Sequence, residues 1–331
     1  MLLNAEARPR ERRTKGKDSR ISYVTDPALP AVVDLFAGCG GLSLGFQRAG
    51  FDVRAGFDSW ESAVDVYNDN LDHEAHVLDL SDTKLAIKTL APYMKTGVDG
   101  VIGGPPCQDF SSAGKRVEGD RADLTERYAE ILVALKPRFF LMENVARALN
   151  ADAYQRALET MREAGYGITV RVLDAAYCGV PQSRKRLFAV GVHGAEDGFL
   201  DEALTSGLSV EPMTLRDAFK GSLGIEHYYR HPRSYARRAV FSIDEPSPTV
   251  RGVNRPVPDG YPGHQGDTAP AEDVRPLTTR ERALVQTFPG EFRWDESKTN
   301  VEQMIGNAVP VNLAAYVAGH LGDYLRSTPP A

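Results

Sequence analysis

A cysteine on a short, stiff loop is the first candidate for chemistry. The stretch GGPPCQDFSS places Cys107 after two glycines and two prolines. Proline fixes the backbone φ angle and lacks an N–H donor, so such a loop holds a side chain in a preset position. Because structural cysteines more often lie within apolar runs, the local sequence favours a nucleophile at Cys107 over an unreactive loop thiol. For Cys39 and Cys178 it favours the unreactive alternative.

An acid and two arginines follow at the ends of further β-rich runs. Glu143 comes after four apolar residues in FFLMENV, where partial desolvation would raise its pKa and suit it to donate a proton or a hydrogen bond. A helix-capping or ion-paired acid fits that stretch equally well. Arg184 and Arg186 alternate in QSRKRLF, which places both on one face of a predicted strand. Unless this run is exposed to solvent, both guanidinium groups need a carboxylate or a phosphate as partner.

A glycine-rich turn marks a candidate ligand pocket. DLFAGCGGLSLGF places Gly38, Gly40 and Gly41 between a predicted strand and a predicted helix, where glycine lets the backbone approach a ligand closely. A plain tight turn with a helix cap is the alternative. Asp58 ends the next β-rich run, 20 residues after Gly38, and would accept hydrogen bonds from ribose hydroxyls. The spacing differs from the G-x-G-x-x-G of dinucleotide sites, which favours a nucleoside-type ligand. Asp79, at a third strand end, would bond an adenine amino group or be a solvated loop acid.

The order of the elements indicates how these residues are positioned. Short β-rich runs alternate with helical stretches through the first half of the chain. This alternation predicts an α/β fold with a doubly wound, mostly parallel sheet that is covered on both faces. The predicted strands cover residues 31–38, 51–59, 76–80, 98–104, 138–144, 168–175 and 186–192. The predicted helices cover residues 42–50, 60–70, 122–136 and 151–164.

A second, smaller and irregular domain with one basic face is predicted in the second half. Residues 194–274 are rich in Gly, Pro and Arg, and residues 230–264 carry six arginines against three acids. Helical order returns near residue 277, and the last helical stretch is apolar on one face, so it should pack back on the first domain. We therefore predict a flexible basic tail over 1–27, a main domain over 28–193 and 291–331, and a smaller domain with its hinge over 194–290.

Composition argues against several classes of protein. The chain contains no run of about 18 apolar residues, which argues against a membrane span. Its three cysteines form no C-x-x-C pair, which argues against a disulfide framework and a zinc site, so no metal is predicted. The N-terminus lacks the apolar stretch of a secretory signal, which predicts a cytoplasmic protein. The net charge of −6 alone argues against nucleic-acid binding, but a local basic face decides such binding.

These segments, in this order, resemble the motifs of the DNA (cytosine-5) methyltransferases of bacterial type II modification systems. The family's motifs I, IV, VI, VIII, IX and X are similar to DLFAGCGGLSLGF, GGPPCQDFSSAGK, MENV, QSRKRLFAVG, RPLTTRERALVQTFP and GNAVPVNLA. The resemblance implies a Rossmann-like, S-adenosylmethionine-dependent fold whose irregular segment, residues 194–274, is the target-recognition domain. The implied activity is methyl transfer to carbon 5 of a cytosine within a specific sequence of duplex DNA.

The resemblance also implies a role for each catalytic residue. Cys107 would add to carbon 6 of a cytosine that has left the helix, and this addition makes carbon 5 nucleophilic. Glu143 would bond the ring nitrogen N3 and the exocyclic amine, and Arg184 would hold the base and Glu143. Gln108 and Arg186 would support the loop and the backbone.

The implied cofactor pocket places Asp58 on the ribose and Asp79 on the adenine of S-adenosylmethionine. Ser59 stands where family members often have an apolar or aromatic residue that stacks on the adenine, and Trp60 comes one position later. The stacking partner is therefore left open. The implied cofactor-binding residues are Phe36, Ala37, Gly38, Cys39, Gly40, Gly41, Asp58, Ser59, Asp79, Leu80, Pro106, Leu124, Asn307 and Ala308.

Implied DNA contacts lie on the thiol loop and in the arginine-rich region. Thr249, in PSPTVRG, resembles a recognition-domain signature and is expected near the DNA backbone close to the flipped base. The implied contacts are Gln108, Ser111, Arg230, Arg233, Arg237, Arg238, Thr249, Arg251 and Arg255. The resemblance further implies a monomer that is associated with the nucleoid through DNA. It also implies a cognate restriction endonuclease that acts on the same site without forming a stable complex.

Three other interpretations compete with this one. An RNA (tRNA) cytosine-5 methyltransferase would share the fold, but the arginine-rich segment favours duplex DNA. A catalytically silent DNA-binding relative is disfavoured by the intact set of Cys107, Glu143 and Arg184. A nicotinamide-dependent dehydrogenase is disfavoured by the glycine spacing and by the stiff thiol loop.

Overall fold

A computed structural model describes residues 20–106 and 124–328. Cys107, Gln108 and Ser111 lie outside the described residues, as do most of the predicted N-terminal tail and the last three residues of the chain.

A seven-stranded sheet in the order β3–β2–β1–β4–β5–β8–β6 forms the centre of the molecule. The pairs β1–β2, β2–β3, β1–β4 and β4–β5 are parallel, and β8 pairs antiparallel with both β5 and β6. The mostly parallel α/β fold predicted from sequence is confirmed. The strands are β1 Ala31–Leu35, β2 Asp52–Asp58, β3 Ala75–Val77, β4 Val98–Gly103, β5 Phe139–Val145, β6 Tyr166–Asp174, β7 Gln182–Ser183, β8 Lys185–His193, β9 His227–Tyr229, β10 Val240–Ser242 and β11 Ser247–Pro248.

Helices cover both faces of this sheet, so its central strands are apolar on both sides. One face packs against α3, α4 and α5, and the opposite face packs mainly against α1, α6 and α10. The helices are α1 Gly41–Arg48, α2 Glu61–Asn70, α3 Thr83–Lys95, α4 Leu124–Leu135, α5 Asp152–Glu163, α6 Asp201–Ser206, α7 Leu215–Phe219, α8 Thr279–Val285, α9 Lys298–Asn307 and α10 Val311–Ser327.

Strand order reverses between β1 and β4, and this reversal locates the ligand crevice. The chain runs from β1 outward to β2 and β3, then returns to add β4 and β5 on the other side of β1. Helices on opposite faces leave an opening at the carboxyl ends of the two central strands, where α/β folds of this kind bind ligands. The glycine turn after β1 and the residues after β4 therefore meet at one edge of the sheet.

Helix α3 is the main element that the sequence analysis did not predict. Only Ala86 and Leu90 of this helix are fully buried, although Ile87, Tyr93 and Met94 recur at helical spacing and pack against the same core. Pro92 lies inside the helix, where its sequence signal argues for a break. Asp82 nevertheless caps the N-terminus of the helix, because its side chain accepts a hydrogen bond from the backbone N–H of Leu85.

The smaller, arginine-rich part contains little regular structure. Strands β9 and β10 form an antiparallel pair, and two residues of β11 pair with β7. Tyr228 and Phe241 belong to the same apolar cluster as Leu44 of the main part. The predicted boundary at residue 194 falls too early, because Leu200 and Leu204 pack in the core beside α10.

The predicted N-terminal tail also extends too far. Ile21 is buried, and its N–H donates to the Asn70 carbonyl oxygen at 2.6 Å. The backbone N–H of Asp26 likewise donates to the Gly50 carbonyl oxygen at 2.8 Å. The segment from Ile21 to residue 27 therefore belongs to the main part of the molecule. Among the described helices, none is both long and apolar enough to cross a membrane.

Candidate active site

A cavity of about 510 Å³ opens at the carboxyl ends of β1, β2, β4 and β5. This volume is typical of pockets that enclose a nucleoside-sized ligand. Its walls contain most of the residues that the sequence analysis selected: Phe36, Ala37, Gly38, Cys39, Gly41, Asp58, Ser59, Asp79, Leu80, Pro106, Leu124, Glu143, Arg184, Arg186, Asn307 and Ala308. Gly40 is the exception among the predicted cofactor-binding residues, because a Cβ there would meet the ring of Tyr67 at 3.0 Å rather than the cavity.

The glycine turn fixes the carboxylate of Asp58 at one wall. Gly38 adopts a φ of 53°, and its N–H donates to Asp58 Oδ2 at 2.8 Å. The backbone N–H of Trp60 donates to the other oxygen, Oδ1, also at 2.8 Å. Each carboxylate oxygen retains a second lone pair, so Asp58 is oriented and still able to accept hydrogen bonds from a ligand.

Asp79 and Trp60 line the same wall in different states of exposure. Asp79 is exposed, and the hydrogen bond from Ser81 holds the pKa of its carboxyl below the usual range. It is therefore an ionised acceptor at neutral pH. Trp60 is partly buried and lines the cavity next to Ser59. The indole supplies an apolar ring in the wall where Ser59 supplies none.

Glu143 occupies the opposite wall, at the end of β5. Its Oε1 forms an ion pair with Arg186 Nε at 2.9 Å, and both side chains are nearly buried. Burial raises the pKa of Glu143, and the charges of Arg186 and Arg184 partly offset that rise. A buried carboxyl with a raised pKa is suited to hold or donate a proton at this position.

The residues that lead into the thiol loop are held against this wall. The side-chain amide of Asn144 donates to the Pro105 carbonyl at 3.1 Å. Gly104 lies so close that a Cβ there would be 3.2 Å from Glu143 Oε2. Strand β5 therefore fixes the backbone just before Cys107, although Cys107 itself lies outside the described residues.

The two arginines have different partners in the structure. Arg186, not Arg184, forms the ion pair with Glu143. Arg184 lies between β7 and β8, is 1% exposed, and donates to the carbonyls of Val250, Gly306 and Ala308 at 2.9–3.1 Å. The two arginines do not share one strand face, because Arg184 lies in the break between β7 and β8 and Arg186 lies within β8. Arg184 thus ties the smaller part of the molecule to a wall of the cavity.

Known proteins share this arrangement and this sequence. The chain matches the family described as C-5 cytosine-specific DNA methylase over residues 31–323. It is 51% identical to the type II methyltransferase M.HindV of Haemophilus influenzae, over 88% of this chain and 96% of that protein. It is 50% identical to the type II methyltransferase M.HgiDI of Herpetosiphon aurantiacus, over 89% of this chain and 94% of that protein. The chain belongs to the C-5 cytosine-specific DNA methylase family. It is therefore a DNA cytosine-5 methyltransferase.

Solved structures show the same fold for this methylase at lower sequence identity. A prophage-encoded DNA modification methyltransferase described as putative, from E. coli, superposes with a TM-score of 0.64 at 23% identity, over 89% of this chain and 99% of that one. Dnmt2 methyltransferase of S. pombe gives a TM-score of 0.66 at 18% identity, over 90% and 98% of the two chains. Family and fold imply S-adenosylmethionine as the methyl donor. The oriented Asp58 and the apolar wall at Trp60 and Leu80 fit its nucleoside part.

Four arginines of the methylase form a second charged site, here called the arginine cluster: Arg230, Arg233, Arg251 and Arg255. Burial lowers the pKa of Arg230 to about 10, and the charges of Arg251 and Arg233 contribute to that shift. Arg251 has a pKa lowered by burial and by its neighbours Arg233 and Arg255. Within residues 20–106 and 124–328, no acid pairs with any of the four. Mutually repelling cations of this kind are suited to bind a polyanion.

Two other predicted DNA contacts of the methylase already have protein partners. Arg238 forms an ion pair with Glu245, and its guanidinium lies 4.3 Å from the ring centre of Phe241. The hydroxyl of Thr249 donates to the Ser183 carbonyl at 2.9 Å, next to Arg184.

The methylase's other two cysteines match the sequence-based expectation of unreactive thiols. Cys39 and Cys178 are buried, and burial raises the pKa of each to about 12. Sequence reasoning missed Asn144 and Arg147, which also line the cavity. The signal for Asn144 was a second polar residue directly after Glu143 in an otherwise apolar run.

Proposed function

We propose that the protein methylates carbon 5 of a cytosine that has left the duplex, through addition of the Cys107 thiolate to carbon 6. The observation that carries the proposal is the shared wall. Glu143, its partner Arg186 and the backbone before Cys107 lie together on a cavity whose other wall holds the nucleoside-binding Asp58. One cavity thus offers room for both a methyl donor and a base.

Cys107 and Glu143 act in successive steps of the proposed reaction. Cytosine is a poor carbon nucleophile, so bonding of Cys107 sulfur to carbon 6 divides one hard step into easier ones. Glu143, in its protonated form, donates to N3 and offsets the negative charge that the addition creates in the ring. Carbon 5 then takes the methyl group. A water molecule accepts the proton from carbon 5, Glu143 takes back the proton from N3, and the bond from sulfur to carbon 6 breaks. Cys107 is thereby regenerated.

Arg186 and Arg184 have different roles in the proposed reaction. Arg186 orients Glu143 through the ion pair and lies where it reaches the base. Arg184 also lines the cavity, but both of its terminal nitrogens donate to backbone carbonyls, and only its Nε has no partner among the described residues. Arg184 is therefore a positioning residue.

S-adenosylmethionine would be held between the glycine turn and the segment at Asn307 and would supply the methyl group. Asp58 would accept from the ribose hydroxyls, and Asp79 would accept from the adenine amino group. Trp60 is the aromatic side chain in the wall that would contact the adenine ring.

Duplex DNA would lie across the arginine cluster. No acid among the described residues pairs with its four arginines, so DNA phosphates would supply the neutralising charge. Extrusion of one nucleotide costs a few kcal/mol, and the contacts between arginines and phosphates offset this cost. The type II names of the two relatives support a cognate endonuclease for the same site.

Trapping of the covalent adduct tests this proposal. Duplex DNA carrying 5-fluorocytosine at the recognised position should leave a stable adduct with the protein and S-adenosylmethionine, because fluorine cannot leave as the carbon 5 proton does. Cys107→Ala should give no adduct while it still binds S-adenosylhomocysteine. The matched control is Cys178→Ala, which should retain the adduct because that thiol is buried. An adduct in Cys107→Ala, or none in the wild type despite methylation of ordinary DNA, would exclude addition by Cys107.

A further inference from the structure

A buried acid in the central strand has no role in the steps above. Asp34 lies in β1 and is 0% exposed. Its Oδ1 atom has no hydrogen-bond partner, and no cation pairs with its carboxyl group among the described residues. An unpartnered polar atom in a core is costly, so its presence calls for an explanation.

A chain of hydrogen-bonding groups leads from Asp34 to the surface. Asp34 Oδ2 accepts from the Ser43 hydroxyl at 2.6 Å, and Ser43 Oγ lies 2.8 Å from the Tyr67 hydroxyl. That hydroxyl is 2.5 Å from His73 Nε2. His73 Nδ1 lies 3.3 Å from Oδ1 of Asp72, whose side chain is 43% exposed. Of these side chains, only that of Asp72 is well exposed to solvent.

The hydrogen bonds of this series of side chains can all point inward to Asp34 or all point outward to the surface. If His73, Tyr67 and Ser43 all donate inward, Asp34 is an ionised acceptor. If Asp34, Ser43 and Tyr67 all donate outward, Asp34 is neutral and His73 Nδ1 donates to Asp72. Reversal moves one proton from Asp34 to the exposed end of the chain, and no group has to leave its place.

Asp34 and its chain lie directly behind the wall of the cavity. Asp34 precedes Phe36 by two residues, and Ser43 follows Leu42, and both Phe36 and Leu42 line the cavity. The Tyr67 ring packs against the glycine turn, 3.0 Å from where a Cβ of Gly40 would stand. The charge of Asp58, which lines the cavity, contributes to the raised pKa of Asp34, so a charge bound in the cavity also acts on Asp34 through protein rather than through water.

Among the described residues, the other titratable groups that face Asp34 carry no positive charge. They are Asp58 on β2, Tyr67 on α2 and Tyr128 on α4. Burial, the largest cause, raises the pKa of Asp34 to about 7, so both protonation states are populated near neutrality. A cation that enters the cavity is the missing counter-charge.

We propose that Asp34 is the counter-charge for the sulfonium of the methyl donor, and that binding of S-adenosylmethionine releases one proton from Asp34 through Ser43, Tyr67 and His73. The proposal rests on the proposed function for the identity of the ligand. After methyl transfer the sulfur of S-adenosylhomocysteine is uncharged, and Asp34 regains its proton. The site thereby binds the charged donor more tightly than the product above neutral pH.

Titration calorimetry with the whole protein tests this linkage. The dissociation constant of S-adenosylmethionine should fall on the order of tenfold between pH 6 and pH 8 through this one group. Runs in two buffers of different ionisation enthalpy should show release of most of one proton at pH 6. The ligand's own amino group also titrates, so the quantity to compare is the wild type minus Asp34→Asn. That difference should be large for S-adenosylmethionine and near zero for S-adenosylhomocysteine.

Two further variants keep the test decisive. Ser43→Ala removes one donor to Asp34 Oδ2, which disfavours the ionised form, so the pH midpoint of binding should move upward. Asp99→Asn, a matched loss of an exposed carboxylate on the neighbouring strand β4, should behave as wild type. Equal proton release from wild type and Asp34→Asn, or an unmoved midpoint in Ser43→Ala, overturns the inference while the proposed function stands. Failure of the wild type to bind either ligand overturns both.

Discussion

The wall around Glu143 and the arginine cluster are both charged, but they are held in different ways. Glu143 and Arg186 project from β5 and β8, whose antiparallel register pairs Val145 with Arg186. The arginine cluster lies among strands of two or three residues, and Arg230 is anchored to the carbonyl of Thr249. The sheet supplies each charge of the wall with a partner inside the protein. Within the part of the chain that the structure describes, no acid pairs with the arginine cluster, as expected of a surface whose counter-ion comes from outside.

The largest expected effect separates the two arginines next to the cavity. Arg186→Met removes the partner of Glu143 and the cation that reaches the base, so kcat should fall on the order of 10²- to 10³-fold, the range of a lost transition-state interaction. Arg184→Met instead removes the donor to the buried carbonyls of Val250 and Gly306, while the Ala308 carbonyl keeps the Gln286 amide, and should lower the free energy of unfolding by about 2 kcal/mol or more. Single-turnover methylation and urea unfolding measure the two quantities.

The contrast between the arginines is the informative result. Arg186→Met should unfold close to the wild type, since Glu143 can protonate once its partner is gone. If Arg184→Met keeps full stability and loses only kcat, then Arg184 contacts the base and the division of roles drawn from the hydrogen bonds is wrong.

The same contrast explains how much could be predicted from sequence. The central strands are apolar on both faces, and the polar residues that interrupt or end them stand out, so Asp58, Glu143 and the glycine turn were predicted where the structure places them. Such patterns report burial and strand ends, which fix a site at a sheet edge. Helix α3 was missed although its apolar residues recur at helical spacing, because Pro92 within it is typical of a break.

The remaining differences come from tertiary contacts that no local pattern encodes. Ile21 and Leu200 look like parts of a tail and of an irregular domain, yet both complete the core of the main part. The partner of Glu143 depends on the β5–β8 register and on the break between β7 and β8. Spacing alone could not choose between Arg184 and Arg186.

A smaller effect concerns the sheet itself, where Asp34 is a buried charge site without a cation. Its pKa is raised to about 7 in the folded protein from 3.8. Between these two values the folded state binds more protons than the unfolded state, so this group makes stability fall as pH rises from about 4 to 7. Asp34→Asn removes that loss, and the variant should gain stability over wild type, on the order of 4 kcal/mol at most, by pH 8.

Urea unfolding of both proteins at pH 5, 6, 7 and 8 measures the gain. The difference between variant and wild type should grow with pH and level off above about 7. A difference that is constant across this range would mean that Asp34 has the same protonation state throughout, and the buried-acid description would fail. Asp99→Asn serves here too, since its exposed side chain should give no pH-dependent difference.

The smallest effects are expected in the arginine cluster, where each phosphate contact contributes little alone. Arg233→Ala and Arg255→Ala should each weaken duplex binding by several-fold for all sequences alike and reduce the slope of log affinity against log salt by about 1. Arg238→Ala is the matched control, because its charge is already paired with Glu245. Fluorescence anisotropy at several salt concentrations measures both quantities. If Arg238→Ala loses as much affinity and salt dependence as Arg255→Ala, then pairing within the protein does not decide which arginines meet the phosphates. A variant that relaxes specificity at one position instead would identify a base contact within the cluster.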